Sequence, residues 1–388
     1  MINLNNPDHK NILIGLTIGI SVTLTLQSFF SRLFPTKSSN EPNYKIANGL
    51  ADLVGNTPLL EIPSLSRLTK RRILAKAEFL SPGGSPKDRV ALNIIRHFEA
   101  IGALKPGGTI YEGTVGSTGI SIALLSNSLG YHAKIFMPDD VSSEKADLLI
   151  LMGAEVEKVR PASIVDQDQF VNMAKNMSAS KEGSVFADQF ENEANWRAHF
   201  EGTGPEIWEQ TGGKVAAFVT GAGTGGTISG IAIALKQRNP AVKIVLADPQ
   251  GSGLFNKIKH NTMYSHTEKE GSRRRHQIDS IIEGIGINRL TRNFEVGRKL
   301  IDDAIKVTDE EAIAMSRHLL KSDGIFIGSS SAVNVVAAVK TALRMPESSS
   351  VVTLLCDSGT RGLSKFWNDA WLRKQKYRIS DDISFVLN

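Results

Sequence analysis

A single cysteine, Cys356, in 388 residues excludes an intramolecular disulfide and any cysteine-based metal cluster. The eight histidines include no H-E-x-x-H run and no close ligand pair, so no metal site is expected. Charge of one sign is also scarce. A net +5 on a chain of this length does not call for nucleic acid as a partner. There is no internal repeat and no low-complexity tract. What remains is ordinary for a globular protein, 41% hydrophobic and 22% charged. Cys356 follows Val351-Val352-Thr353-Leu354-Leu355 and reads as an inert thiol at a buried strand end.

One long uncharged run stands apart. No charged residue occurs from Asn11 to Ser31, and residues 12–30 are long enough as a helix to cross a bilayer's hydrocarbon core. Asp8 and the lack of arginine before Arg32 argue against a matrix-targeting presequence. The length of the apolar part, and the lack of a small-residue cleavage pattern, argue against a cleaved signal. A single-pass transmembrane helix is expected instead. Lys10 lies before it and Arg32, Lys37 and Lys45 after it, a bias that keeps the following domain on the cytoplasmic side. Residues 1–45 are thus expected to be anchor and linker, 46–375 a catalytic domain, and 376–388 a tail.

Strand and helix patterns alternate beyond the linker, which points to a mostly parallel α/β architecture. Strands are expected at Ile73–Phe79, Thr109–Tyr111, Ala133–Met137, Glu155–Val159, Val215–Thr220, Val242–Ala247 and Val351–Cys356. Helices are expected at Asp88–Ala100, Thr118–Leu129, Ser143–Met152, Val165–Met177, Thr227–Gln237, Asp309–Ser322 and Ser331–Leu343. The division between two sub-sheets is expected near residues 190–215.

The chemistry gathers in four segments. Ser81-Pro82-Gly83-Gly84-Ser85-Pro86-Lys87-Asp88-Arg89 puts a lysine in a Gly/Pro-rich turn at a helix start, with Asp88 as the expected cap. The positive end of a helix disfavours an ammonium and so favours the neutral amine that Schiff-base chemistry needs. Taken alone, Lys87 would read as a solvated surface lysine. Glu112-Gly113-Thr114-Val115-Gly116-Ser117-Thr118-Gly119 leaves backbone amides open before a helix, a site for carboxylate or phosphate. Gly221-Ala222-Gly223-Thr224-Gly225-Gly226-Thr227 presents N–H donors and two hydroxyls, a phosphate cradle with no cationic side chain. Gly328-Ser329-Ser330-Ser331-Ala332 opens a further helix, where Ser331 reads first as an N-cap. A rival is built into the third segment. Gly221, Gly223 and Gly226 spell G-x-G-x-x-G, and Asp248 ends the next strand, as in nicotinamide-dependent dehydrogenases. That reading leaves Lys87 and the serine loop without a role.

In the same order, these four segments resemble the signatures of the fold-type-II pyridoxal-phosphate enzymes, and within them the cysteine synthase and cystathionine β-synthase family. Asp188–Asn192, Gly202–Trp208, Glu283–Gly286 and Asp357–Gly359 extend the likeness, which runs from about Leu50 to Leu372. The resemblance implies two three-layer αβα sub-domains of the tryptophan synthase β-like fold, the smaller over about 81–190 and the larger over about 50–80 and 191–375. It implies pyridoxal 5'-phosphate as cofactor, held by Lys87, which then serves as the base. Gly223, Thr224, Gly225, Gly226 and Thr227 would bind the phosphate, Ser330 would face the ring nitrogen, and Ser117 would stand beside the ring. Thr114, Gly116, Ser117, Thr118 and Gln189 would receive the substrate carboxylate. The implied reaction is β-replacement: O-acetylserine or a similar activated serine, with sulfide, gives cysteine through an aminoacrylate. Cysteine desulfhydrase, a cystathionine β-synthase-like lyase and an inactive membrane scaffold are the rivals left open.

With its anchor, the chain resembles the fungal mitochondrial outer-membrane cysteine synthase-like proteins. That likeness alone implies an outer-membrane location, with the catalytic domain facing the cytosol, and a homodimer. Two departures are visible. The family pattern T-S-G-N-T stands here as Thr114-Val115-Gly116-Ser117-Thr118, so the asparagine that bonds the cofactor's ring oxygen is a shorter serine. Pro86 restricts Ser85 to extended geometry. The polar insert over 256–277, with Arg273-Arg274-Arg275-His276, reads as a solvated loop.

Overall fold

A computed structural model describes residues 46–140, 143–163, 165–263 and 280–386, together with Pro7. The expected membrane helix over 12–30 and the basic run 273–276 lie outside the described residues. Among the described residues, no helix is long and apolar enough to cross a membrane, and no group of side chains could hold a metal ion.

From Asn48 onward the chain builds two sheets. Their strands are β1 (Leu59–Glu61), β2 (Arg72–Ala77), β3 (Thr109–Gly113), β4 (His132–Pro138), β5 (Glu155–Val159), β6 (Val185–Phe186), β7 (Ala217–Gly221), β8 (Lys243–Pro249), β9 (Asp303–Val307) and β10 (Ser350–Leu355). The larger sheet runs β1-β2-β10-β7-β8-β9, parallel except for the edge strand β1. The smaller runs β5-β4-β3-β6 and is wholly parallel.

Side chains of a strand alternate between its faces, and both faces of the larger sheet are dry. Ile73, Ala75, Val219, Ala247 and Val351 pack into one core, while Leu74, Phe218, Leu246 and Val352 pack into another on the opposite side. The smaller sheet is covered likewise, by Ile110, Ile135 and Met137 on one face and by Tyr111 and Phe136 on the other. Each sheet is therefore the middle of three layers. The segment after residue 376 also packs: Ile383 and Val386 enter the core, and the Tyr377 hydroxyl donates to Asp309 Oδ2 at 2.9 Å.

Four helices frame the site: α1 (Lys87–Ala100), α2 (Ser117–Leu129), α3 (Gly226–Arg238) and α4 (Ser329–Ala342). Local chemistry shifts several expected details. Asp88 is not the cap of α1, because the helix begins at Lys87 after Pro86. Ser331 does not cap α4, whose N-cap is Gly328; its hydroxyl instead accepts from Cys356 N at 2.8 Å. The helix expected from Val165 starts at Phe170, since Asp166 ties the preceding residues into a turn and Gln169 accepts from Val171 N at 2.8 Å. The expected insert opens as a helical turn, Leu254–His260.

Candidate functional site

Parallel α/β sheets offer ligands the loops at the carboxyl ends of their strands, and three of the four signature segments leave such ends here. The lysine loop follows β2, the Thr114–Ser117 loop follows β3, and the glycine loop follows β7. The serine segment reaches the same edge by another route. It follows the helix Asp309–Asp323, and an isolated bridge between Ile327 and Ser358 lays it against the chain leaving β10.

Lys87 is the first residue of α1 and is half-buried. Desolvation pushes its pKa down. The neighbours Cys356, Asp357 and Asp88 oppose that shift, while the Arg361 guanidinium adds to it. The expected neutral amine is thus favoured by burial first. Asp88 turns back to hold the loop ahead of the lysine: its Oδ2 accepts from Gly83 N at 2.7 Å, and its Oδ1 accepts from the Ser121 hydroxyl at 2.5 Å. A Cβ on Gly83 would lie 2.3 Å from Asp88 Oδ1, so only glycine fits.

The glycine loop is packed tightly from behind. Gly225 has φ +84°, and a Cβ there would fall 2.4 Å from Phe294 Cβ. Thr224 Oγ1 accepts from Asn195 Nδ2 at 2.9 Å, which leaves its own proton free. Thr227 Oγ1 lies 3.1 Å from Nε2 of His199, whose Nδ1 is 2.9 Å from Thr203 Oγ1. His199 is held neutral, its pKa well below the usual value through burial and the nearby Arg89 and Lys87. No side chain caps α3 or α2, so their first-turn N–H groups stay open. The helix Asp309–Asp323 provides the contrast, closed by a full capping box of Thr308 and Glu311.

On the other side, Thr118 Oγ1 donates to Gln189 Oε1 at 2.6 Å and Thr114 Oγ1 accepts from Gly116 N at 3.3 Å. Behind them Glu112, fully buried, accepts from Gln189 N and Gly113 N, and burial pushes its carboxyl up to about 8. Ser330, at the start of α4, lies near the Cys356 thiol, whose Sγ accepts from Asn334 Nδ2 at 3.5 Å. Cys356 lies just past the end of β10, packs against the core that holds Val352 and Leu354, and keeps partial exposure near Lys87. Burial raises its pKa to about 12, which keeps the thiol protonated.

Thr118 therefore meets Gln189 directly, His199 meets Thr227 of the glycine loop, and Lys87 lies within electrostatic reach of His199 and Cys356. His199, Asn195, Glu112 and Arg361 escaped the sequence reading. Glu112 heads the quoted run 112–119 without a role given to it, and the signal for the others was nearness to the quoted runs 188–192, 202–208 and 357–359. The rival role of Asp248 does not survive. The residue is fully buried at the end of β8, and its Oδ2 accepts from Phe255 N at 2.7 Å, so no ribose could reach it.

The donor set suits pyridoxal phosphate. Two helix starts without side-chain caps can take two anions, a phosphate at α3 and a carboxylate at α2, and the lysine loop that carries an amine of lowered pKa opens from the same strand edge. The hydroxyl of Ser330 offers a neutral partner to a ring nitrogen.

Comparison with known proteins gives the same picture. Residues 50–357 match the family model described as pyridoxal-phosphate dependent enzyme. The chain is similar to cysteine synthase 2 of Schizosaccharomyces pombe, 50% identical over 97% of this chain and 98% of that protein. It is also 52% identical to a Saccharomyces cerevisiae protein named "Putative mitochondrial cysteine synthase", over 88% of each chain. Among solved structures, the O-acetylserine dependent cystathionine β-synthase of Helicobacter pylori superposes with a TM-score of 0.71. That match is 32% identical and covers 83% of this chain and 98% of the other.

Proposed function

The chain belongs to the pyridoxal-phosphate-dependent enzymes, and from that premise we propose that it is a cysteine synthase, joining an activated serine such as O-acetylserine with sulfide. The observation that carries this reading is a half-buried lysine of lowered pKa at the strand edge from which two helix starts without side-chain caps also open.

Bound there, the cofactor supplies an aldehyde that condenses with amines and a ring that takes up the electron pair left at an amino acid's α-carbon. The protein's part is placement and proton handling. Lys87 Nζ anchors the cofactor and then takes the α-proton, which requires the neutral amine that burial favours. Gly223, Thr224, Gly225, Gly226 and Thr227 hold the phosphate, with the Thr224 proton pointing outward because Asn195 occupies its lone pair. Thr114, Gly116, Ser117 and Thr118, with Gln189, receive the substrate carboxylate at the start of α2. Ser330 is a neutral partner for the ring nitrogen, so the ring withdraws electrons less strongly than a pyridinium would. That favours expulsion of a β-substituent over other fates of the α-carbanion.

The finer reading adds the rest. The uncharged run Asn11–Ser31 supports an anchor through residues 12–30, and the name of the S. cerevisiae relative supports a mitochondrial location. An outer-membrane, cytosol-facing placement and a homodimer rest on family likeness. The smaller sub-domain is taken as about 81–190, the larger as about 50–80 and 191–375.

Purified protein supplied with the cofactor is expected to gain its mass on Lys87 after borohydride reduction, and Lys87→Ala is not. With O-acetylserine and sulfide it should release cysteine, and Lys87→Ala should lose at least about 10³-fold in rate. Sulfide released faster from cysteine than cysteine is made would overturn the synthase in favour of a desulfhydrase. The Helicobacter pylori structure favours a second reading, tested by offering homocysteine in place of sulfide.

A further inference from the structure

Arg361 lies in the turn after β10 and donates to two other signature segments: Nη1 to Ser117 Oγ at 2.5 Å, and Nη2 to the carbonyl of Gly83. Gly83 N is held by Asp88, Asp88 accepts from Ser121, and Ser121 Oγ lies 3.0 Å from the carbonyl of Ser117. These bonds form a closed ring that joins the β10 turn, the lysine loop, α1 and α2, and two of its members, Arg361 and Asp88, act on Lys87. The ring has one loose end. Ser117 Oγ spends a lone pair on the guanidinium, and among the described residues nothing accepts its proton. Ser117 is half-buried at the start of a helix with no side-chain cap, next to Gly116, where a Cβ would meet nothing within 4 Å.

A hydroxyl that accepts from a cation is a stronger donor than a free one, because the bonds polarise each other. Its natural partner is an oxygen that carries negative charge. Resting on the cofactor reading above, we propose that Arg361 is a positioning residue, which orients and polarises Ser117 so that its hydroxyl donates to the cofactor's ring oxygen. The pair does in two side chains what a single asparagine amide does in the family pattern. The same guanidinium helps to lower the pKa of Lys87, so ring oxygen and amine are tuned from one side.

A double-mutant cycle on the cofactor-loaded protein tests this, read by the bound cofactor's visible absorption band and by its dissociation constant. Arg361→Gln and Ser117→Ala should each shift the band and weaken cofactor binding roughly tenfold. The double variant should be no worse than either alone, and Ser117→Asn should restore the band when Arg361 is glutamine. An unchanged band in Arg361→Gln overturns the proposal, as does a full extra loss in the double variant. If Arg361→Gln does not fold, Ser117→Ala decides alone, an unchanged band overturning the idea. Wild-type protein that fails to trap the cofactor on Lys87 sinks the underlying reading as well; trapping with an unmoved band sinks only this one.

Discussion

Lys87 and Arg89 sit two residues apart on α1 and meet opposite fates. Arg89 is buried and fully paired: Nε donates to Glu78 at 2.8 Å, and the guanidinium also reaches Glu206 and Thr57. Lys76, fully buried, joins the same cluster through Glu206 at 2.6 Å. For Arg89 and Glu206 the charged forms win, while burial still pulls the Lys76 pKa down against the pull of Glu206. Arg89 is held above its ordinary pKa by these carboxylates against the cost of burial, and Glu206 is drawn down to about 2 by Arg89 and Lys76. On the cleft side, among the described residues, Lys87, His199, Glu112 and Asp357 make no salt bridge; the charged neighbours of Lys87 and Asp357 act only at longer range, and burial drives each group toward neutrality. Lys87 and His199 go down, Glu112 goes up to about 8, and Asp357, with one buried oxygen unbonded, goes up to about 6. The difference shows that burial alone does not decide a group's charge. Pairing does, and the cleft is where pairing is withheld.

The largest break in this contrast is Arg89→Met. It strands Glu78 in the interior and is expected to cost about 3–5 kcal/mol by urea unfolding, whereas the double change Arg89→Met/Glu78→Gln should recover part of that loss. Next comes Glu206→Gln. A carboxyl held near 2 stabilises the fold above about pH 4.5 and loses that contribution as pH falls toward 2. The variant should therefore be less stable than wild type at pH 7, with the two melting curves converging in acid. The smallest effect belongs to Glu112→Gln, on the opposite limb. A carboxyl raised to about 8 carries its proton when folded, and its contribution is lost as pH rises from about 4.5 through 8. Glutamine mimics the protonated acid, so melting temperatures should nearly agree below about pH 4.5, diverge in favour of the variant as pH rises, and reach their full gap above about pH 8. A wild-type protein that is equally stable at pH 6 and pH 9 would remove Glu112 from the comparison.

How much of this was visible in the chain alone depends on locality. Strands such as β7 and β10, buried on both faces, show as continuous apolar runs, and the glycine and lysine loops show because they are contiguous. β6 has two residues and β1 three, too few for a periodic signal, and β9 breaks its short apolar stretch with two charges in Asp303-Ala304-Ile305-Lys306-Val307. The ion cluster was hidden for another reason. Glu78, Arg89 and Glu206 look like any surface charges until α1 and the helix Gly204–Gln210 are brought together. Arg361 is 244 residues from the serine it holds, and no spacing rule spans that distance.

The register of β2 against β10, Arg72 beside Ser350 through Ala77 beside Leu355, carries a cost during synthesis. The lysine loop hangs from an apolar strand whose main partner emerges almost three hundred residues later. At typical elongation rates of about 5–20 residues per second, that strand waits on the order of tens of seconds with its edge uncovered. The nascent chain should therefore be a client for a holding chaperone until its final quarter leaves the ribosome.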